Sequence, residues 1–136
     1  MIKFLKYIVI LSLLLGLGCK REYTTEPESG KYGGKWLWVK SVGGKSGVEI
    51  KPEEGTKIVR YYKNDTFRLY RNDTLKVLAE YEINGQIQDL DKIVYSDIRT
   101  FDYYFDPEIE YARLDSAGLQ VWDGLIDGYF SFFTRE

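Results

Sequence analysis

Five carboxylates, Asp97, Asp102, Asp106, Glu108 and Glu110, crowd around the aromatic run Tyr103-Tyr104-Phe105. Paired carboxylates hydrolyse glycosides when a cleft holds them at a fixed separation. Carboxylates beside aromatic rings can also recognise a cation, a sugar or a protein partner. No spacing here fixes such a geometry, so the segment reads as an exposed loop kept soluble by charge, with the acidic, aromatic rim as the alternative. Asp123-Gly124 and Asp127-Gly128 lack the spacing of a calcium loop and are adequately explained as two turns. Gly43-Gly44-Lys45-Ser46 echoes the end of a phosphate-binding loop, but the upstream glycine spacing and the strand-to-helix context are missing. The chain has no histidine. That removes Ser–His and Cys–His nucleophile pairs, a histidine general base and any histidine-ligated metal. The single cysteine, Cys19, permits neither an internal disulfide nor a thiolate cluster. These absences point to a protein that is not an enzyme and carries no metal or cofactor.

Cys19 has a different chemistry open to it. Lys3 and Lys6 form a positive n-region, and Tyr7 to Leu15 is an apolar stretch, too short to cross the roughly 30 Å hydrocarbon core as a helix. Leu15-Gly16-Leu17-Gly18-Cys19 resembles the lipobox of bacterial lipoproteins, departing from it at Gly16, where the pattern usually has Leu. The resemblance implies cleavage before Cys19, acylation of that residue and a stable membrane anchor, since two or three acyl chains hold where one does not. Residues 1–18 are therefore expected to be a lipoprotein signal peptide. Residues 19–33 are expected to be the lipidated cysteine and a flexible tether. The envelope location expected is the outer membrane, because no Asp follows Cys19 and Lys20-Arg21-Glu22 resembles the charged export signals of Bacteroidota lipoproteins. Cleavage removes Lys3 and Lys6 and no acidic side chain, leaving a formal charge of −4. Nucleic acid is thus not an expected partner, because phosphate binding needs a basic surface.

The remaining residues, 34–136, must supply the folded domain. With 12 Tyr, 7 Phe, 3 Trp and only 3 Pro, the composition leans towards strands. Leu75, Val77, Ala79, Tyr81 and Ile83 alternate with Lys76, Leu78, Glu80 and Glu82, the period of a half-buried strand. Asn64-Asp65 and Asn72-Asp73 tolerate left-handed backbone and separate Lys57–Lys63, Thr66–Arg71 and the strand from Leu75. Thr56–Ile83 is therefore expected to be a three-stranded meander. Further strands are expected at Trp36–Lys40, Lys92–Ile98, Thr100–Phe105, Tyr111–Leu114, Leu119–Trp122 and Gly128–Arg135, with a long loop over Gly43–Gly55. No segment has a long helical period. Eight or nine short antiparallel strands could form a sandwich or a barrel, and consecutive hairpins favour a small up-and-down barrel of about eight strands, which also leaves no free edge.

Gly34-Lys35-Trp36 at the start of the first strand, with Arg135 near the end of the last, resembles the lipocalin signature. The run from Trp36 to Ser41, Gly43-Gly44, Pro52, Gly55, Asn64 to Phe67, Tyr70 to Asp73 and Asp127-Gly128-Tyr129 is similar to small lipocalin-like lipoproteins of Bacteroidota. The likeness covers most of 34–83 and 118–136 and is poor over 84–117. It implies a barrel in which Trp36 plugs one end and Arg135 stacks across it, beside Gly34. Inward positions expected to line a ligand site are Trp38, Val59, Tyr61, Phe67, Tyr81 and Phe133, which otherwise simply fill the interior as core. The function expected is binding of a small hydrophobic or aromatic molecule by a lipid-anchored barrel; the alternative is an envelope interaction or inhibitor protein with a filled core.

Overall fold

The computed structural model describes residues 30–136. The expected signal peptide, Cys19 and most of the expected tether lie outside the described residues.

The described chain is all-β. Its strands are β1 (Gly34–Gly43), β2 (Val48–Ile50), β3 (Ile58–Lys63), β4 (Thr66–Arg71), β5 (Thr74–Ile87), β6 (Leu90–Thr100), β7 (Ile109–Asp115), β8 (Gly118–Trp122) and β9 (Tyr129–Arg135). Every neighbouring pair is antiparallel. β9 returns to β1, pairing Trp36 with Arg135 and Gly43 with Tyr129, so eight strands close into a barrel and β2 is an extra strand on β1. The meander β3–β4–β5 follows the expected turns. Asn64, Asn72 and Asp73 have φ of 53°, 49° and 65°, the left-handed values that two-residue hairpins demand and that Asn and Asp accept most readily.

Three local expectations are corrected. Gly43–Gly55 is not one loop: Gly44 to Gly47 turn β1 into β2 before the chain leaves for β3. Residues 100–105 are not a strand. β6 runs on to Thr100, Asp102 then adopts a left-handed φ of 50°, and residues 101–108 leave the sheet. Residues 30–33 are not free tether either, because Tyr32 is wholly buried and its hydroxyl donates to Asp91 Oδ2 at 2.6 Å. The folded body therefore begins no later than Gly30.

Of the four register irregularities in the sheet, one in β1–β9, one in β4–β5 and two in β5–β6, two turn residues near the mouth inward. At the first, Trp38 faces Phe133 but Lys40 faces Phe132, so the extra residue turns Ser41 towards the interior, where it is buried. At the second, opposite Leu78–Glu80, Asp97 takes a left-handed φ of 50°. Tyr95 and Ile98 then both reach the core, although a regular strand would put residues three apart on opposite faces.

The two ends of the barrel differ. At the end where β1 begins, Tyr32 fills the opening and Trp36 donates from Nε1 to the Tyr32 carbonyl at 2.9 Å. The Arg135 guanidinium lies 4.2 Å over the Trp36 ring and donates to the Gly33 carbonyl. A guanidinium over an indole contributes roughly 0.5–2 kcal/mol. Gly34 explains its own place in the pattern. Its φ is +115°, and a Cβ there would stand 2.5 Å from Arg135 Nη1, so any side chain would displace the stacked guanidinium. That end is sealed. The β6–β7 segment, the β8–β9 loop and the β1–β2 turn gather at the other end, which forms the mouth.

Candidate functional site

Aromatic packing fills the sealed half of the interior. Tyr62 contacts Phe67 and Tyr81 with ring centroids 5.0 and 5.1 Å apart, and Phe67 contacts Tyr95 at 5.0 Å. Phe105 descends from the segment after β6 and stacks on Phe67 at 5.5 Å. Tyr103 and Phe105 lie outside the strands, yet both pack against the core. Burying them holds residues 101–108 across the mouth.

Above this packing the barrel keeps a cavity of about 500 Å³. Leu69, Ile109 and Val121 supply apolar wall from the strands. Tyr103, Tyr104, Phe105, Asp106 and Pro107 come from the β6–β7 segment, and Asp123, Leu125 and Tyr129 from the β8–β9 end. A second cavity of about 210 Å³ adjoins it, sharing Arg60, Leu69, Tyr103 and Ser131, and is completed by Trp38, Ser41, Ile58 and Phe133. The Trp38 Nε1 donates to Ser41 Oγ at 3.0 Å, and the Ser41 and Ser131 hydroxyls are 2.7 Å apart.

A closed polar network forms one wall. Arg60 and Glu110 make a two-pronged ion pair, with Nη1 to Oε2 at 2.6 Å and Nη2 to Oε1 at 3.1 Å. Tyr95 donates its hydroxyl to Glu110 Oε2 at 2.8 Å, and the Tyr62 and Tyr95 hydroxyls are 3.0 Å apart. Arg60 also lies 5.0 Å from the Phe133 ring and 5.5 Å from that of Phe67. Arg60 and Glu110 are both buried, so each charge depends on the other for compensation. Burial alone disfavours the Arg60 cation, but the Glu110 carboxylate beside it outweighs that and holds Arg60 well above the usual arginine value. Burial, reinforced by Glu110, pushes the Tyr95 hydroxyl well up, and burial pushes Tyr62 up as well. A phenol held neutral in this way donates or accepts hydrogen bonds but is a poor base.

The residues expected to line a ligand site divide. Trp38 and Phe133 face the smaller cavity; Phe67 and Tyr81 are core in the filled half. Val59 and Tyr61 are on the outer face of β3, contrary to expectation, although Val59 is buried there by its neighbours. Val59 borders Lys35, Tyr70 and Glu136, and Tyr61 lies under Lys35 and Arg68 at 5.4 and 5.9 Å from its ring centroid. The reason is the register of the β3–β4 hairpin. Tyr62 stands opposite Phe67 and Arg60 opposite Leu69, and directly opposed residues share a face. With Phe67 inside, Tyr62 and Arg60 must be inside and Val59 and Tyr61 outside. The two-residue turn at Asn64-Asp65 already contained that information; the charge on Arg60 hid it, because an unpaired arginine does not belong in a core.

The acidic segment also divides. Asp106 and Glu110 border the mouth cavity, whereas Asp97 lines a separate pocket with Arg68 and Arg99. Asp123 holds the β8–β9 loop: its carboxylate accepts the backbone N–H of Leu125 at 3.0 Å and of Tyr129 at 3.1 Å. A side chain at Gly128 would collide with that carboxylate.

Comparison with known protein families, with curated proteins and with solved structures returns no match to this chain.

Proposed function

We propose that the chain is an exported lipoprotein, fixed to the outer membrane by acyl chains on Cys19, whose lipocalin-like barrel binds one small hydrophobic or aromatic molecule at its mouth. The observation that carries the binding reading is the asymmetry of the interior. One half is filled with interlocked rings, whereas the other keeps about 500 Å³ open to the rim, within the range of roughly 300–1,000 Å³ typical of small-molecule sites. The stack of Arg135 on Trp36 beside Gly34 supports the lipocalin likeness. The buried Arg60, Glu110, Tyr62 and Tyr95 bond to one another, which suits a rigid wall better than a proton-transfer site, so the protein is read as a binder and not a catalyst. Because the chain enters the barrel at Gly30, beside the sealed end, anchoring through Cys19 would leave the mouth at the end of the barrel remote from the tether.

N-phenyl-1-naphthylamine, a neutral apolar fluorophore, tests the cavity. Saturable enhancement at one site per chain is expected, and Val121→Phe, which adds a ring inside the mouth, should weaken it by about tenfold, since a filled cavity loses most of the ligand's apolar contact. Unsaturable enhancement, or equal binding by the variant, would count against the site. For the anchor, Cys19→Ser should release the protein from membranes; unchanged attachment refutes acylation there.

A second reading, a protein that docks on an envelope partner, draws on the rim. Tyr104, Leu125 and Ile126 are 86%, 65% and 102% exposed, and apolar side chains so displayed around an opening often mark contact surfaces. Loss of partner capture without loss of fluorophore binding in Ile126→Ser, at a rim position outside the cavity lining, would favour it.

A further inference from the structure

We infer that the molecule held at the mouth is an organic cation, an apolar or aromatic amine whose ammonium group sits between tyrosine rings and rim carboxylates. The inference rests on the mouth cavity being the binding site, as proposed above. Three carboxylates border the cavity, Asp106, Glu110 and Asp123, against one guanidinium, Arg60. That guanidinium is already held at two points by Glu110, so the lining is net anionic and its only cation is neutralised within the wall. An anionic ligand would meet two further carboxylates with no counter-charge to spare.

The aromatic lining points the same way. Tyr103, Tyr104, Phe105 and Tyr129 all border the cavity, and the faces of such rings carry negative quadrupole potential that attracts ammonium groups. Asp106 accepts the Tyr104 hydroxyl at 3.1 Å, placing a carboxylate and a ring edge together at the rim. Asp123 is fixed by two backbone N–H groups, so its charge stays at the cavity's border and does not move with solvent. Aromatic rings and carboxylates, Asp123 held in place among them, around an open pocket with Leu69, Ile109, Val121 and Leu125 in its wall match a ligand with a positive head and an apolar body.

Three probes of similar bulk separate the possibilities: 2-phenylethylammonium, 2-phenylethanol and phenylacetate. Each is measured by equilibrium dialysis against the full-length protein in phospholipid nanodiscs, with empty nanodiscs as the blank. The ammonium is expected to bind roughly tenfold tighter than the alcohol, the combined size of one cation–π contact and one partly screened ion pair, and the carboxylate weakest. Asp106→Asn should remove most of the ammonium's advantage and leave the alcohol unchanged. Tyr104→Ala, at an exposed position where folding is not at stake, should weaken the ammonium more than the alcohol. If the alcohol or the carboxylate binds as tightly as the ammonium, the ligand class is wrong while the binding site stands. If none of the three exceeds the blank, and N-phenyl-1-naphthylamine also fails, the site itself falls.

Discussion

Glu110 is the side chain whose removal should cost the fold most for the atoms lost. It is buried, receives Nη1 and Nη2 of Arg60 at 2.6 and 3.1 Å, and accepts the Tyr95 hydroxyl at 2.8 Å. Glu110→Leu keeps the volume but leaves the Arg60 guanidinium, only 8% exposed, without its counter-charge, a loss of about 3–5 kcal/mol. The Tyr95 hydroxyl still has Tyr62 as a partner, so it adds about 1 kcal/mol at most. For a domain of this size each kcal/mol moves the melting temperature by about 4–8 °C, so a fall of at least about 12 °C is expected. The control is Arg60→Met/Glu110→Leu. With both charges gone nothing buried is left uncompensated, and the double variant should recover to within about 1–2 kcal/mol of the parent. Urea denaturation of the four proteins, parent, two singles and double, gives the coupling directly. A cost below about 1 kcal/mol for Glu110→Leu, or a double variant less stable than both singles, would refute the reasoning.

Burial, the largest influence in each case, raises the hydroxyl pKa of Tyr32, Tyr62, Tyr81 and Tyr95, that of Tyr81 to about 12. A phenol whose folded value is raised contributes stability that is full below its unfolded value and lost as pH rises through the folded value; the domain should therefore weaken from about pH 10 upward, and ultraviolet titration should show these four tyrosines ionising only with unfolding. Early, reversible ionisation of all tyrosines would contradict this. Asp91 behaves in the opposite sense: burial raises it, but hydrogen bonds from Lys31, Tyr32 and Gln86 outweigh that and hold it below the usual carboxylate value. Its contribution should be full at neutral pH and fade as pH falls below about 4, so parent and Asp91→Asn should converge in acid; a constant gap would exclude the ion pair as its source. Gly34→Ala forces a side chain to φ +115° and into Arg135 Nη1, and should cost about 1–3 kcal/mol with a change in the near-ultraviolet signal of Trp36. Unaltered melting would show that the sealed end is unimportant to stability.

The closed sheet was legible because its signals were local and repeated. Alternation from Leu75 to Ile83 and left-handed turns at Asn64 and Asn72–Asp73 fix three strands, and antiparallel hairpins after them leave few topologies. The ends that meet, Trp36 and Arg135, were visible only through resemblance, since no local rule links residues so far apart. The candidate site was harder to read. Arg60 is inward because Glu110, fifty positions away, compensates it, and local patterning treats a charge as outward. Thr100–Phe105 has strand-like composition, but burial of Tyr103 and Phe105 overrides propensity, as packing commonly does. Tyr32 stood among linker-like residues, and its burial depends on Asp91 and the Ala112 carbonyl, both remote in sequence. Cavity volume is a difference between packed and available space, and side-chain identities alone do not encode it.

The most direct measurement is native mass spectrometry of the protein released gently from the envelope of its own host, beside its Val121→Phe variant. A discrete added mass, at one copy per chain, should accompany the parent, dissociate on activation and be absent or much reduced in the variant. A parent that is always recovered empty, or an added mass that the filled cavity retains undiminished, would contradict the claim that the mouth of the barrel is where this protein binds.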